Sequence, residues 1–136
     1  MKLAALTGSL VLFVSGCATG IGRLTDQTPL ERYQPYIGAP IDRFVAFRFD
    51  SWESVGRNQL VVWTRFNEAY LLKVWDTCRD LEFALRIGIK STGSSVTRFD
   101  SVRVGRDSCP IEEIRPIDIA RLRADQAKAR ETAAQQ

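Results

Sequence analysis

Leu60-Val61-Val62-Trp63-Thr64 and Ala69-Tyr70-Leu71-Leu72-Lys73-Val74-Trp75, joined by Arg65-Phe66-Asn67-Glu68, decide the fold class. The first stretch is a nearly continuous apolar run rich in β-branched residues, and the second returns after a short polar turn. Two such runs around a turn predict a β-hairpin. Downstream, Leu81, Phe83, Leu85, Ile87 and Ile89 alternate with Glu82, Ala84, Arg86, Gly88 and Lys90. That period of two predicts a strand over 81–90 with one buried face.

The pattern continues on both sides. Upstream, Phe44 to Phe49 reads as a strand with Val45, Phe47 and Phe49 on one face. After the polar turn Ser91-Thr92-Gly93-Ser94-Ser95, Val96 to Val104 reads as a strand with Phe99 on the face opposite Val102 and Val104. Gly105-Arg106-Asp107-Ser108 turns the chain, and Cys109 to Ile114 returns as the arm of a second hairpin. Pro110 and Pro116 favour an edge position for that arm. Asp118 can cap a helix running to about Glu131, with Ile119 and Leu122 as its apolar stripe. The expected fold is mainly β (α+β), a small antiparallel sheet or barrel-like domain with a C-terminal helix.

The chain has 136 residues and a net charge of +3. Met1-Lys2 followed by the apolar run Leu3 to Val14 and small Ser15-Gly16 has the form of a secretory signal. The run is shorter than the roughly 20 residues of a membrane-spanning helix. Four segments follow: a signal peptide at 1–16, a tether at 17–34, a β domain at 35–118, and a C-terminal helix and tail at 119–136. Ala18 to Gln34 reads as a tether because little of it could bury surface. The mild, interspersed positive charge is no nucleic-acid signature.

Cys78 and Cys109 are the cysteines that remain beyond Cys17. In an exported chain they are expected to pair, since disulfides persist in oxidising compartments. The sequence contains no histidine. Ser-His and Cys-His nucleophiles and His-ligated metals are therefore excluded, and no CxxC pair suggests zinc. No metal and no cofactor are expected. Carboxylate chemistry remains open through Asp50 with Glu53, Asp76 with Asp80, and Glu112 with Glu113.

Two further residues invite a functional reading. Asp100 reads as mid-strand, where aspartate is disfavoured, so it is expected to bind backbone donors or an arginine, or to sit in a ligand site. Trp52, in an expected loop, is the best candidate for stacking on a sugar ring.

Val14-Ser15-Gly16-Cys17 resembles the lipobox of bacterial lipoproteins. The resemblance implies cleavage before Cys17 and acylation of its thiol. Two or more acyl chains anchor stably where one is marginal. Ala18, rather than Asp, after the cysteine implies the outer membrane, with the domain on the periplasmic face.

Leu60-Val61-Val62-Trp63-Thr64, Ala69-Tyr70-Leu71-Leu72, Cys78-Arg79-Asp80-Leu81, Phe99-Asp100-Ser101-Val102, Cys109-Pro110-Ile111 and Ile114-Arg115-Pro116-Ile117-Asp118, in that order, resemble a family of small proteobacterial envelope lipoproteins catalogued as a domain of unknown function. The resemblance covers 36–118 and implies envelope location and the paired cysteines. It implies no activity and carries over no catalytic residue. The expectation is a non-enzymatic envelope binding or assembly module held on the bilayer by acylated Cys17. Its partner would be an envelope protein or a cell-wall polymer, not nucleic acid. The alternatives are a glycan- or peptidoglycan-binding module, with Trp52 beside a shallow polar groove, and a carboxylate-dependent hydrolase.

Overall fold

The computed structural model describes residues 27–136, so the expected signal at 1–16 and Cys17 lie outside the described residues. The described chain opens with helix α1 (Pro29–Tyr33). The Thr28 side chain accepts from the Glu31 amide, and the Glu31 carboxylate accepts from the Thr28 amide at 2.7 Å. This reciprocal capping box, with Pro29 in the first turn, starts a helix even in so short a piece. Residues 28–34 were expected in the tether. Instead α1 buries Tyr33, and the folded part begins at Thr28.

Eight strands follow: β1 (Arg43–Val45), β2 (Ser51–Gly56), β3 (Gln59–Arg65), β4 (Glu68–Val74), β5 (Ile87–Lys90), β6 (Ser95–Thr97), β7 (Ser101–Val104) and β8 (Asp107–Ile117). Six of them form one antiparallel sheet in the order β2-β3-β4-β8-β7-β5, curled into a half-barrel. β1 and β6 pair separately. Helix α2 (Ile119–Ala134) ends the chain, capped by Asp118 through the Arg121 amide at 3.0 Å. The mainly β architecture with a C-terminal helix is the expected one.

The β3–β4 hairpin is as read, and both of its faces are buried. Leu60, Val62, Leu72 and Val74 point into the concave side. There they meet Val102, Val104, Ile111 and Ile114, and Phe44 and Val96 of the small sheet pack on them. Val61, Ala69 and Leu71 face the convex side, under Tyr33, Ile117, Ile119 and Leu122. Two-sided burial explains why 60–64 carries almost no polar alternation. α2 docks by its first turns, burying Ile119 and Leu122, while Asp125 accepts from the Tyr36 hydroxyl and Arg123 donates to the Phe66 carbonyl. Among the described residues, eight strands, two helices, two apolar clusters and the disulfide pack on one another. Residues 27–136 carry their own core.

Strand β8 was expected at an edge and lies near the centre, between β4 and β7. Its prolines are tolerated because each lacks an N–H on a flank without a complete ladder. The Pro110 carbonyl accepts from Trp75, just past the end of β4. The Pro116 carbonyl accepts from Gly38, in a segment that touches β8 only by isolated bridges. A Cβ at Gly38 would lie 3.1 Å from the Pro116 ring, a tight contact that glycine avoids.

Three strand expectations are corrected. Residues 81–90 are not one strand. Leu81–Phe83 form a 3-10 turn, with Phe83 and Ala84 donating to the Asp80 and Leu81 carbonyls, and only Ile87–Lys90 are extended. The reason is the missing partner. β7 offers Ser101–Val104 opposite β5 and then turns at Gly105, whose φ of +60° suits the first central position of a two-residue turn. Leu81 is buried, whereas Phe83 and Leu85 are exposed.

Residues 44–49 keep strand pairing only to Val45, and the buried face is reversed. Phe44 points inward, stacked on Tyr70 at 4.1 Å, while Val45 and Phe47 are exposed. Finally, 96–104 is split between β6 and β7 by a turn at Asp100.

Cys78 and Cys109 form the expected disulfide, with Cα atoms 5.5 Å apart. It ties the excursion between β4 and β5 to β8. Closing a loop with a sequence separation of 31 stabilises by about 3–4 kcal/mol in the chain-entropy view. Reduction, or the double substitution Cys78→Ala/Cys109→Ala, should lower unfolding free energy by about that amount in urea titrations. An unchanged midpoint would refute the assignment of this bridge as a main brace.

Candidate functional site

The edge strands β2 and β5 are not hydrogen-bonded to each other, and the seam between them is a groove of about 180 Å³ lined by Phe49, Asp50, Trp52, Ile87, Gly88 and Ile89. A second depression of about 230 Å³, lined by Val45 to Arg48, Asp50, Thr64 and Arg65, also borders Asp50. The two therefore meet at this carboxylate. Strand register explains the grouping. Trp52 pairs with Val62, which carries Asp50 toward the level of Thr64 on the same face.

One end of this groove is apolar and the other polar. Trp52 is half-buried, packed against the concave core where it lines the seam. Phe49 meets Phe44 edge-on at 6.5 Å, and Phe44 stacks on Tyr70, so an aromatic file runs from the core to the groove. At the polar end Arg48 Nε lies 3.6 Å from Asp50 Oδ1. Thr64 is 7% exposed, and its hydroxyl has no hydrogen-bond partner among the described residues. A buried hydroxyl left unpaired is costly, and here it borders a depression that could supply a partner. The combination suits a small hydroxylated ligand: an aromatic surface for its apolar face, and a carboxylate, a guanidinium and a hydroxyl for its polar groups.

The remaining residues singled out from sequence fall elsewhere. Trp52 lies in strand β2, not in a loop. Asp100 is not mid-strand. It accepts from the Thr97 amide at 2.6 Å and the Thr97 hydroxyl at 3.0 Å, so it pins the β6–β7 turn through a backbone donor.

The three carboxylate pairs diverge. Glu53 faces the convex side, bound by Arg32 at 2.7 Å and the Tyr33 hydroxyl at 3.2 Å, away from Asp50. Asp76 accepts from Asn58 at 2.7 Å, while Asp80 sits ahead of the 3-10 turn. Glu112 pairs with Lys73 at 3.1 Å, and Glu113 binds Arg115. Lys73 stands opposite Glu113, and Glu112 is the extra residue at the register shift, so each carboxylate is met by a cation. Among the described residues no group of three or more Cys, Asp or Glu could hold a metal ion.

Sequence reasoning paired Asp50 with Glu53. The more telling relation is Asp50 with Trp52, two apart and so on one face of a strand. Thr64 and Arg48 carried no signal, because their proximity to Asp50 depends on the β2–β3 register and the loop after β1.

Burial, with a 2.5 Å hydrogen bond to Glu68, pushes the Tyr70 hydroxyl up to about 12. Burial, with Glu53, pushes Tyr33 to about 12 as well. For these neutral acids the stabilisation is complete below pH 10, the ordinary value, and is lost as pH rises toward 12. Denaturant midpoints should hold steady to about pH 10 and then decline, with a shallower decline for Tyr70→Phe. A midpoint that stays flat to pH 12 would contradict the assigned environments.

Neither a curated protein nor a solved structure matches the chain. A family model, described as a family of unknown function (DUF6491), matches residues 1–133. The resemblance to a domain of unknown function thus holds over a longer span than 36–118. A match of that extent, covering the hairpin, the paired cysteines and the groove alike, makes the chain a member of DUF6491, a family of unknown function.

Proposed function

We propose that this protein is a lipid-anchored envelope module, held by acylated Cys17 on the periplasmic face of the outer membrane, that binds rather than transforms its partner. The observation that carries the reading is the Cys78–Cys109 bridge. Structural disulfides belong to oxidising compartments, and this one consumes both cysteines of the domain. Cys17 is then the remaining cysteine, at the end of Val14-Ser15-Gly16-Cys17. Ten peptide steps separate it from Gln27, which bounds their separation to about 36 Å at full extension.

Intact mass of the membrane-extracted protein tests this directly. The expected chain begins at an acylated Cys17, with Cys78 and Cys109 resisting alkylation until reduced. An unacylated chain, or freely alkylated cysteines, would refute the anchor or the compartment.

The groove at Asp50 and Trp52 favours a second, compatible reading, in which the partner is a glycan of the cell wall. Soluble peptidoglycan fragments should quench or shift tryptophan fluorescence saturably. Trp52→Ala or Asp50→Asn should weaken that binding by about tenfold, equivalent to one lost aromatic or charged contact. Unchanged binding in both variants would remove the groove from consideration.

A further inference from the structure

A depression of about 680 Å³ lies away from the groove, where the chain passes into β5 beside the β7–β8 turn. Phe83 and Leu85 border it and are 79% and 95% exposed. Arg86 and Arg106 border it as well. Arg103 continues the charge along the outer face of β7. It stands opposite Gly88, which puts no side chain over it. Lys90 ends the neighbouring strand. None of these four cations has a carboxylate within 4 Å among the described residues. Asp80 and Asp107 share the depression without such a contact.

Two observations need one explanation. Large apolar side chains are left in water, and beside them stand cations without ion-pair partners. A soluble anion would answer the charge but not Phe83 and Leu85. An apolar protein partner would answer the side chains but not four basic groups. A bilayer with anionic headgroups answers both, because phosphates lie at the level of the guanidiniums and the acyl boundary just beneath them.

We propose that this surface, with Phe83 and Leu85 dipping into the interface and Arg86, Lys90, Arg103 and Arg106 on the headgroups, is a docking face for an anionic phospholipid bilayer. The inference takes its setting from the envelope reading, but acylation is not part of it. The 110 described residues imply a radius of gyration near 13 Å. The ten peptide steps from Cys17 to Gln27 span at most about 36 Å, so this face and the anchor can meet the same membrane.

The test uses the oxidised chain from Ala18 to Gln136, which includes the whole self-contained core and lacks both signal and acyl group. Co-sedimentation is measured with phosphatidylglycerol/phosphatidylethanolamine vesicles and with phosphatidylcholine vesicles. Partitioning should be at least about tenfold stronger on the anionic vesicles and should fall with added salt. Arg86→Glu/Arg106→Glu should lower it about tenfold or more. Leu85→Ser should lower it without changing the salt slope. Lys128→Glu/Arg130→Glu, on the exposed end of α2, should leave it intact. Far-ultraviolet dichroism and alkylation resistance confirm that each variant is folded.

Absent binding, equal binding to both vesicle types, or indifference to the arginine reversals would overturn the proposal. So would binding to insoluble peptidoglycan through the same arginines without vesicle binding, which would assign the face to a polymer instead. Failure here leaves the mass of Cys17 untouched, so the docking face and the anchor are judged separately.

Discussion

Strand β8 is the constraint on which the rest depends. It pairs with β4 from Ile111 to Ile117, with β7 from Asp107 to Pro110, and by bridges at Ile114 and Ile117 with the segment after α1. Cys109, within it, carries the bridge that holds the β4–β5 excursion. One strand therefore organises the half-barrel, the N-terminal segment and the disulfide loop. The register shift opposite Lys73 and Val74 falls next to the point where its pairing passes from β7 to β4. Its prolines remain compatible with a near-central position because their missing donors face flanks without a full ladder.

The open seam follows from the same arrangement. Curling brings β2 and β5 toward each other, but β5 is only four residues long because β7 turns at Gly105. A short edge with a glycine at Gly88 and a charge at Lys90 is poorly suited to uncontrolled strand pairing. The seam stays open while the concave core beneath it is sealed by Leu60, Val62, Leu72 and Val102, each fully buried. The groove and the depression beside Phe83 and Leu85 then lie at different borders of the sheet, one at β2 and β5, the other at the β7–β8 turn.

Legibility in the sequence varied with how local the cause was. The 60–75 hairpin was readable because apolar runs and a turn sit side by side. The α2 start was readable because Asp118 caps it within three residues. The 81–90 alternation misled because period two states which residues would share a face if a partner strand were present, and no partner extends beside 81–86. Val45, Phe47 and Phe49 misled for a related reason. The stack of Phe44 on Tyr70, 26 residues away in sequence, chose the opposite face. Asp100 was unusual as a strand residue and ordinary as a turn residue.

The sequence by itself determined the mainly β class, the pairing of two cysteines, the terminal helix and the hairpin built on the apolar run Leu60 to Thr64. These depend on composition, short-range periodicity and cysteine number, which need no distant contact. Only the tertiary structure decided the place of β8, the length of β5, the face shown by Phe44, and the meeting of Asp50, Trp52 and Thr64 across strands. Each of those depends on which strand lies beside which. That choice is made by non-local hydrogen bonding and core packing, and no window along the chain contains it.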